Sequence, residues 1–395
     1  MDYRLDKAQL MNDLWRAYYD ARRHKRNKDY QQRFESNAEA NLQQLRDELW
    51  ERQYKPQPST CFLISDPKRR EVFAAQFRDR IVHHLYFNYV HVMLERTYIA
   101  DSYSCIKHRG THYGINRLER CIRRESQNYR EKCYVLKMDI RGYFMHINRQ
   151  RLLDITLRQL SRQGDHKVNR GVHTLWREVV DMEFVAYLTR VIVMQDPTAD
   201  CVIRGYLHSW LSLPREKSLF YSPKGCGLPI GNLTSQLFSN VYLNEFDQFV
   251  KRQLKCKSYG RYVDDFFVVS ADRDWLLSLR WPMADFLRRE LGLEVNNNKT
   301  TITDVCHGVG FLGAFLMPGR RYVSNSTLRR MKRKIPLLKQ KQTAGELAAS
   351  INSMLGVLGH YRSYGLRRKL FLGLDFAYDY GYYVKGMRKY VLYPI

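Results

Sequence analysis

Two adjacent acids interrupt an otherwise apolar stretch in Arg261-Tyr262-Val263-Asp264-Asp265-Phe266-Phe267-Val268-Val269. The apolar residues on either side predict two short strands that meet in a hairpin. Aspartate tolerates the backbone angles of a turn, so the pair could simply shape the hairpin. Two carboxylates that leave a hairpin tip together could equally bind a metal ion. The stretch by itself leaves both interpretations open, because short motifs recur by chance.

A second stretch favours the metal-binding interpretation. Lys137-Met138-Asp139 places an acid just past a predicted strand, and the aromatic Phe144 follows five positions later. A two-metal nucleotidyl transferase needs carboxylates from separate strands to hold two divalent cations about 3.5–4 Å apart. Asp139, Asp264 and Asp265 meet that requirement as residue types, and hard oxygen ligands together with phosphate suit Mg²⁺.

Composition narrows the class of protein. The chain has 395 residues, and 66 Lys and Arg against 40 Asp and Glu give a formal net charge of +26. The excess positive charges repel one another, so a surplus of this size is typical of proteins that bind a polyanion. A soluble basic protein without such a partner would also be consistent with the composition. Tyrosine is abundant, with 28 copies that could stack on bases or pack in the core.

Cysteine usage and hydropathy indicate the compartment. The eight cysteines are scattered without metal-binding spacing, which favours a reducing environment. The polar amino terminus lacks the apolar stretch of a secretory signal, and no apolar run is long enough for a bilayer. We therefore expect a cytoplasmic protein with no membrane partner.

The pattern along the chain predicts an α+β protein. Residues 1–57 have helical periodicity and include a basic run at residues 22–28. A strand is expected at residues 61–64 and a helix at residues 72–94. From Cys133 onward, short apolar runs predict strands that are mixed with helices around an antiparallel sheet. These runs lie at residues 134–138, 259–269 and 309–313. After Pro318 the chain becomes basic, and a helix is expected at residues 346–358.

Several motifs, taken in order, resemble those of reverse transcriptases. Asp139 with its trailing aromatic is similar to the first metal-binding motif of that family, and Tyr262-Val263-Asp264-Asp265 looks like its Tyr-x-Asp-Asp box. Three further segments resemble the template- and nucleotide-binding segment, the later lysine motif and the primer-grip hairpin of the family. They are Gly227–Gln236, Asn297-Asn298-Lys299-Thr300 and Gly310-Phe311-Leu312-Gly313. The resemblance covers roughly residues 60–365.

The resemblance implies a right-hand polymerase fold. The expected parts are a helical basic amino-terminal extension, fingers, a palm that carries the antiparallel sheet, and a helical thumb. Their ranges are 1–57 for the extension, 58–132 and 155–225 for the fingers, 133–154 and 226–317 for the palm, and 318–395 for the thumb.

The same resemblance implies an RNA-directed DNA polymerase with an RNA template, deoxynucleoside triphosphates and an RNA–DNA hybrid as partners. Catalysis would use two Mg²⁺ ions, with Mn²⁺ able to substitute. The implied metal-binding positions are Asp139, Ile140, Asp264 and Asp265, of which the three aspartates would be catalytic. The implied nucleotide-binding residues are Lys107, Arg109, Phe144, Ile230, Gln236 and Lys299. The implied primer grip is Gly310, Phe311, Leu312 and Gly313.

Each implied role has a physical reason and a plainer alternative. Lys107 and Arg109 offer charge-assisted donors to a polyphosphate, or they belong to a solvated basic loop. Phe144 would leave no room for a 2′-hydroxyl beneath the sugar, or it packs in the core. Lys299 would be a proton donor or charge partner of the leaving pyrophosphate, or it is an exposed turn lysine.

Ile230 departs from the common pattern of the family. Most reverse transcriptases carry Gln-Gly after the proline, whereas this chain has Pro229-Ile230-Gly231. An isoleucine cannot donate the hydrogen bond of a glutamine amide, so discrimination against mispaired nucleotides should weaken. The pattern resembles the reverse transcriptases of diversity-generating retroelements. Those enzymes copy a template RNA with frequent errors at adenine and work with a small basic accessory protein.

Other functions remain open from the sequence. The stretch from about residue 164 to 225 is long for a compact member of that group, and it is either an elaboration of the fingers or the mark of another bacterial lineage. A defence-associated, anti-phage reverse transcriptase is therefore an alternative. A non-catalytic RNA-binding scaffold and a template-independent or RNA-synthesising polymerase are further alternatives.

Overall fold

A computed structural model describes residues 2–23, 28–66, 68–169 and 171–394 of the chain. Residues 24–27, which make up most of the predicted basic run, lie outside the described residues. The helices are α1 (Lys7–Arg22), α2 (Asp29–Glu35), α3 (Ala38–Trp50), α4 (Phe77–Glu95), α5 (Thr111–Glu125), α6 (Tyr143–His146), α7 (Arg149–Gly164), α8 (Met182–Met194), α9 (Leu233–Gln248), α10 (Arg273–Leu291), α11 (Asn325–Lys334), α12 (Ala344–Gly359), α13 (Tyr364–Phe371) and α14 (Asp375–Tyr378).

The strands form four sheets. They are β1 (Ser59–Ile64), β2 (Arg70–Ala74), β3 (Tyr134–Asp139), β4 (Cys201–Arg204), β5 (Tyr259–Tyr262), β6 (Asp265–Ser270), β7 (Thr301–Asp304), β8 (Val309–Phe311), β9 (Ala314–Met317), β10 (Arg320–Val323), β11 (Gly381–Val384) and β12 (Lys389–Leu392). The strand orders are β2-β1-β4, β5-β6-β3-β7, β10-β9-β8 and β11-β12. The expected α+β class with antiparallel sheets is confirmed. Among the described residues, no helix is both long and apolar enough to cross a membrane.

The chain divides into two compact units. The first comprises residues 1–110, 138–266 and 279–300, and the second comprises residues 111–137, 267–278 and 301–395. The ranges expected for fingers, palm and thumb stay predictions.

The amino-terminal helices of the first unit follow from their periodic apolar positions. Leu10, Leu14 and Ala17 lie on one face of α1 and are fully buried. The carboxylate of Asp6 accepts a hydrogen bond from the backbone N–H of Gln9 and caps the helix. The predicted helical character of this region is confirmed.

The helix expected at residues 72–94 begins later than predicted. Residues 72–74 belong to β2, which pairs antiparallel with β1, and the helix begins at Phe77. Phe73 is 1% exposed in this sheet. Burial of an aromatic side chain against a neighbouring strand outweighs the helical periodicity, because strand formation depends on cross-strand packing.

The long stretch from 164 to 225 adds to the same small sheet. Its strand β4 pairs parallel with β1. The buried carboxylate of Glu71 on β2 accepts hydrogen bonds from the indole of Trp210, the hydroxyl of Ser218 and the backbone N–H of Leu219. This one side chain therefore attaches the end of the stretch to the sheet.

The second unit contains a helical core and a terminal hairpin. The buried face of α12, with Leu347, Ile351 and Leu355, packs in one apolar cluster with Phe371 and Tyr390. The predicted helix at 346–358 is confirmed. The hairpin of β11 and β12 was not expected, since its strands are short and rich in tyrosine rather than alternating clearly.

Candidate active site

The sheet β5-β6-β3-β7 brings the three predicted aspartates together. Asp139 is the last residue of β3, while Asp264 and Asp265 lie at the turn between β5 and β6. Because β3 and β6 are neighbours in the sheet, these acids reach the same edge. Asp139 is only 6% exposed. Asp264 lies in the turn and Asp265 begins β6, as the hairpin interpretation predicted, while metal binding by the pair stays a prediction.

The electrostatics show that this cluster carries excess negative charge. Burial, followed by the charges of Asp265 and Asp139, raises the pKa of Asp264 to about 6. Neighbouring carboxylates with few compensating cations favour either protonation or a bound cation. A perturbed carboxylic acid of this kind is typical of functional sites.

Lys299 lies against the first aspartate. Its ammonium nitrogen Nζ is 2.8 Å from both Oδ1 and Oδ2 of Asp139. Burial lowers the pKa of Lys299, but the hydrogen bond and charge of Asp139, followed by the charges of Asp264 and Asp265, raise it overall. Lys299 is therefore positioned by the aspartates rather than being a free turn lysine.

Asn296 belongs to the site and was not identified from the sequence. Its backbone N–H donates to the carbonyl of Asp139 at 2.7 Å, and its side-chain amide donates to Oδ1 of Asp139 at 3.3 Å. Its place at the start of an asparagine run before Lys299 was the available signal. An amide in this place orients the carboxylate without neutralising it.

Carboxylate oxygens are the ligands that Mg²⁺ prefers. The ligand atoms of Asp139, Asp264 and Asp265 do not all lie within 4.8 Å of one another, so metal binding by these three residues stays a prediction. Ile140 is 2% exposed, and its apolar side chain has no ligand atom. It could contribute only through its main-chain oxygen.

Phe144 and Ile230 pack against one apolar cluster in the first unit. The buried members are Cys61, Phe73, Met145 and Leu219, and both Phe144 and Ile230 lie against them while partly exposed. The backbone carbonyl of Phe144 also accepts a hydrogen bond from Leu228 N–H at 2.8 Å. Phe144, predicted to lie beneath the sugar, and Ile230, predicted to affect selection of the paired nucleotide, therefore pack against the same apolar cluster.

The backbone at Ile230 and Gly231 is tied to strand β2. The Ile230 carbonyl accepts a hydrogen bond from Phe73 N–H at 2.9 Å. Gly231 has φ +134°, and a Cβ added there would lie 2.7 Å from the Phe73 carbonyl oxygen. Only glycine permits this approach. Five residues later, Gln236 is exposed in the first turns of α9.

Lys107 and Arg109, the two basic residues implied in nucleotide binding, differ in their surroundings. Arg109 Nη1 donates to the backbone carbonyls of Ile99, at 3.3 Å, and Ser102, at 3.0 Å. Lys107 is exposed, and within the described residues no hydrogen bond or ion pair holds its ammonium group. Arg109 thus supports its own loop, whereas Lys107 is available to a ligand.

The predicted primer-grip segment connects β8 and β9 in the second unit. Leu312 and Gly313 both have positive φ, at 48° and 83°. The Gly310 carbonyl accepts a hydrogen bond from Lys137 Nζ at 2.6 Å, and the Phe311 ring packs on Phe267 with centroids 5.2 Å apart. The segment is a tight hairpin, as the sequence predicted.

Another group of metal-ligand types lies in the second unit. Asp304, Cys306 and His307 have ligand atoms within 4.8 Å of one another, the one such group of three among the described residues. Cys306 and His307 are exposed, and the nearby positive charge of Lys132 opposes a cation. Sequence reasoning did not identify this group, and its role is not assigned.

Known proteins share the part of the chain that carries the aspartate pair. Residues 182–316 match the family described as reverse transcriptase (RNA-dependent DNA polymerase). That segment contains Asp264, Asp265 and Lys299, whereas Asp139 and Phe144 precede it. Protein YkfC of Escherichia coli strain K12 is 25% identical over 342 residues, which are 78% of this chain and 78% of that protein.

Solved structures of telomerases are also similar. Apo telomerase from Candida tropicalis, truncated from its C-terminal domain, has TM-score 0.47 and 13% identity, covering 68% of this chain and 56% of that one. Telomerase from Candida albicans with the TWJ fragment of telomeric RNA has TM-score 0.46 and 12% identity, covering 81% and 55%. This chain thus spans about half the length of those telomerases.

The class of protein rests on the family match together with the site. The segment that matches the reverse transcriptase family contains the aspartate pair, and the expected α+β architecture is present around it. These findings support an RNA-directed DNA polymerase, as the motifs predicted.

Proposed function

We propose that this protein is a reverse transcriptase that makes DNA on an RNA template by two-metal nucleotidyl transfer. The observation that carries the proposal is the cluster of Asp139, Asp264 and Asp265, in which burial and then mutual repulsion raise the pKa of Asp264 to about 6. Two-metal polymerisation needs carboxylates that bind cations, and Asp264 and Asp265 lie within the segment that matches the reverse transcriptase family.

The chain's own residues would divide the work as follows. Asp139, Asp264 and Asp265 hold the two ions, for which we propose Mg²⁺, with Mn²⁺ able to substitute. Bound ions would activate the primer 3′-hydroxyl and stabilise the charge of the triphosphate. A cation bound at Asp139 would compete with the Lys299 ammonium for the same two oxygens. Lys299, once released, would donate to the leaving pyrophosphate.

The apolar cluster of the first unit would select the substrate. Phe144 is partly exposed above it and would exclude a 2′-hydroxyl, so deoxynucleotides are preferred. Lys107, Arg109 and Gln236 would contact the incoming nucleotide, although Nη1 of Arg109 is already engaged by its loop. Ile230 presents no side-chain donor to that nucleotide.

We further infer error-prone synthesis of the kind found in diversity-generating retroelements, since Ile230 stands where a glutamine amide is common. A small basic accessory protein would be a partner in that setting. A defence-associated reverse transcriptase is the second candidate, favoured by the additional strand β4 and the Glu71-anchored stretch. Sequencing of the DNA products separates the two, because substitutions concentrated at template adenines support the retroelement type.

Primer extension tests the activity itself. Purified protein with an RNA template, a DNA primer and Mg²⁺ should extend with deoxynucleotides and much less with ribonucleotides. Asp264→Asn should abolish extension. Asp274→Asn is the matched control, because Asp274 is an exposed acid in the first turn of α10. Extension that survives Asp264→Asn would contradict the proposal and leave a non-catalytic RNA-binding scaffold with a contaminating activity.

A further inference from the structure

A buried ion pair lies directly behind the turn that carries the aspartates. Arg261 and Asp247 are both 0% exposed. Nε of Arg261 is 2.8 Å from Oδ1 of Asp247, and Nη2 is 2.7 Å from Oδ2, so the pair is bidentate. The hydroxyl of Tyr259 donates to Oδ1 of Asp247 at 2.6 Å. Burial would lower the pKa of Arg261, but the charge of Asp247 raises it overall.

The same arginine contacts the turn. Nη1 of Arg261 donates to the backbone carbonyl of Val263 at 2.9 Å. Val263 has φ +56°, a left-handed conformation that β-branched residues rarely adopt. The turn before Asp264 is therefore strained, and strained backbone persists only where its surroundings hold it.

The other side of the Val263 peptide is also held. Its N–H donates to the hydroxyl of Ser104 at 3.1 Å. That hydroxyl donates in turn to Oδ1 of Asn240 at 3.2 Å, and the Asn240 amide donates to the Ser104 carbonyl at 2.8 Å. Asn240 and Asp247 lie seven residues apart on α9, hence on one face of the helix. One helix therefore supports both hydrogen bonds that hold Val263.

We propose that Arg261, Asp247 and Ser104 form a turn clamp that positions Asp264 and Asp265 for metal binding by holding Val263 at positive φ. The clamp acts through Val263 and does not touch substrate, so these are positioning residues. The inference rests on the proposed polymerase function. The clamp would let α9, which carries Asn240 and Asp247, control the geometry of the turn that bears Asp264 and Asp265.

Ser104→Ala is the most informative variant. Replacing Asp247 would leave a buried, uncompensated guanidinium, and the chain would then be expected to unfold. Ser104→Ala removes one acceptor and leaves the ion pair intact. Thr156→Ala is the matched control, because Thr156 is also fully buried and its hydroxyl bonds the Leu152 carbonyl within α7.

Val263→Gly supplies the second arm of the test. Glycine adopts positive φ without a steric penalty, so it reduces the need for the clamp. In the wild-type background we expect Ser104→Ala to lower kcat by about tenfold, with KM for the deoxynucleotide changed less than about twofold. In the Val263→Gly background the same substitution should cost about threefold or less. Thr156→Ala should leave kcat unchanged.

Mn²⁺ binding, followed by electron paramagnetic resonance of the free ion, gives a readout that does not need activity. Ser104→Ala should weaken Mn²⁺ binding in the wild-type background and have a smaller effect in the Val263→Gly background. Equal effects of Ser104→Ala in both backgrounds, or none in either, would overturn the clamp. A larger effect of Ser104→Ala on Mn²⁺ binding in the wild-type background than in the Val263→Gly background supports the clamp. If the wild-type protein then extends no primer, the polymerase proposal is overturned and the clamp remains supported.

Discussion

The ammonium of Lys299 lies 2.8 Å from each carboxylate oxygen of Asp139. An ion pair in this place neutralises one member of the acidic cluster and leaves the Asp264 and Asp265 pair to repel each other. A divalent cation at Asp139 would compete with Lys299 for the lone pairs of the same two oxygens. The proposed metal binding would thereby weaken this contact and favour movement of the ammonium to phosphate.

Replacing this lysine should separate metal binding from turnover. In Lys299→Met we expect the Mg²⁺ concentration for half-maximal binding to fall, because the competing ammonium is gone. We expect kcat to fall by about 10²-fold, since a charge-assisted donor to the leaving group is lost. Isothermal titration with Mg²⁺ and single-turnover extension measure the two effects. Lys257→Met, at an exposed position, is the control. Weaker Mg²⁺ binding in Lys299→Met would contradict the competition.

The raised pKa of Asp264 predicts that the negative charge of this carboxylate destabilises the folded protein. The folded pKa of about 6 exceeds the usual value of 3.8, so the folded state binds more protons than the unfolded state between those values. Stability contributed by the protonated form is present below pH 3.8 and is lost as pH rises through 6. In metal-free protein, Asp264→Asn should therefore raise the unfolding free energy at about pH 7.5 by on the order of 1–2 kcal/mol.

Denaturant unfolding at two pH values measures that effect. The gain from Asp264→Asn should shrink at about pH 4.5, where most of the wild-type carboxyl is already protonated in the folded state. Asp274→Asn should show no such dependence. A destabilised Asp264→Asn protein at the higher pH would show that the carboxylate is stabilised rather than repelled in this cluster.

Restoring an amide at position 230 should improve fidelity. Ile230→Gln supplies a side-chain donor at the surface formed with Phe144, and we expect misincorporation to fall by roughly 2- to 13-fold, the range of one hydrogen bond. Ile230→Leu conserves the apolar contact and should change fidelity little. Sequencing of extension products from one defined RNA template measures the rates. Unchanged error frequency in Ile230→Gln would remove the basis for error-prone synthesis at this residue.

A smaller side chain at position 144 should relax sugar selection. Phe144→Ala opens space above the cluster of Phe73 and Met145, and we expect ribonucleotide incorporation relative to deoxynucleotide to rise by about 10²-fold. Competition assays with paired nucleotides measure the ratio. Phe144→Tyr, which keeps the ring, should preserve the preference. An equal loss of both substrates in Phe144→Ala would indicate a packing role alone.

The exposed face of α11 should contribute to nucleic-acid binding. Arg329, Lys332 and Arg333 are all exposed and lie three and four residues apart, while Met331 faces the core. Replacing the three by Gln should reduce the slope of log K against log salt for an RNA–DNA hybrid by up to about 3, since each phosphate contact contributes about 0.9. The same replacement at Arg252, Lys255 and Lys257 matches the change in net charge. Equal slopes in both triple variants would exclude a specific role of α11.

Local patterns predicted where the three aspartates lie relative to the strands better than they predicted the borders of the elements. Asp139, Asp264 and Asp265 were identifiable because acids seldom interrupt apolar strands without a reason. The strand at residues 72–74 was missed because its stability comes from pairing with β1, which the helical periodicity of residues 72–94 does not take into account. The terminal hairpin β11–β12 escaped prediction because its strands are short and rich in tyrosine rather than alternating clearly.

The order and chemical type of the motifs were properties of the sequence alone, since they depend on which side chains follow which strands. The family match over residues 182–316 covers Asp264, Asp265 and Lys299 but not Asp139. Only the tertiary structure decided which atoms meet. It places Lys299 and Asn296 on Asp139, ties Arg109 to its own loop, and holds Val263 between Arg261 and Ser104. The contacts of Asp139 with Lys299 and Asn296, and of Val263 with Ser104, join residues far apart in the chain, and hydrogen bonds depend on distances that folding alone sets.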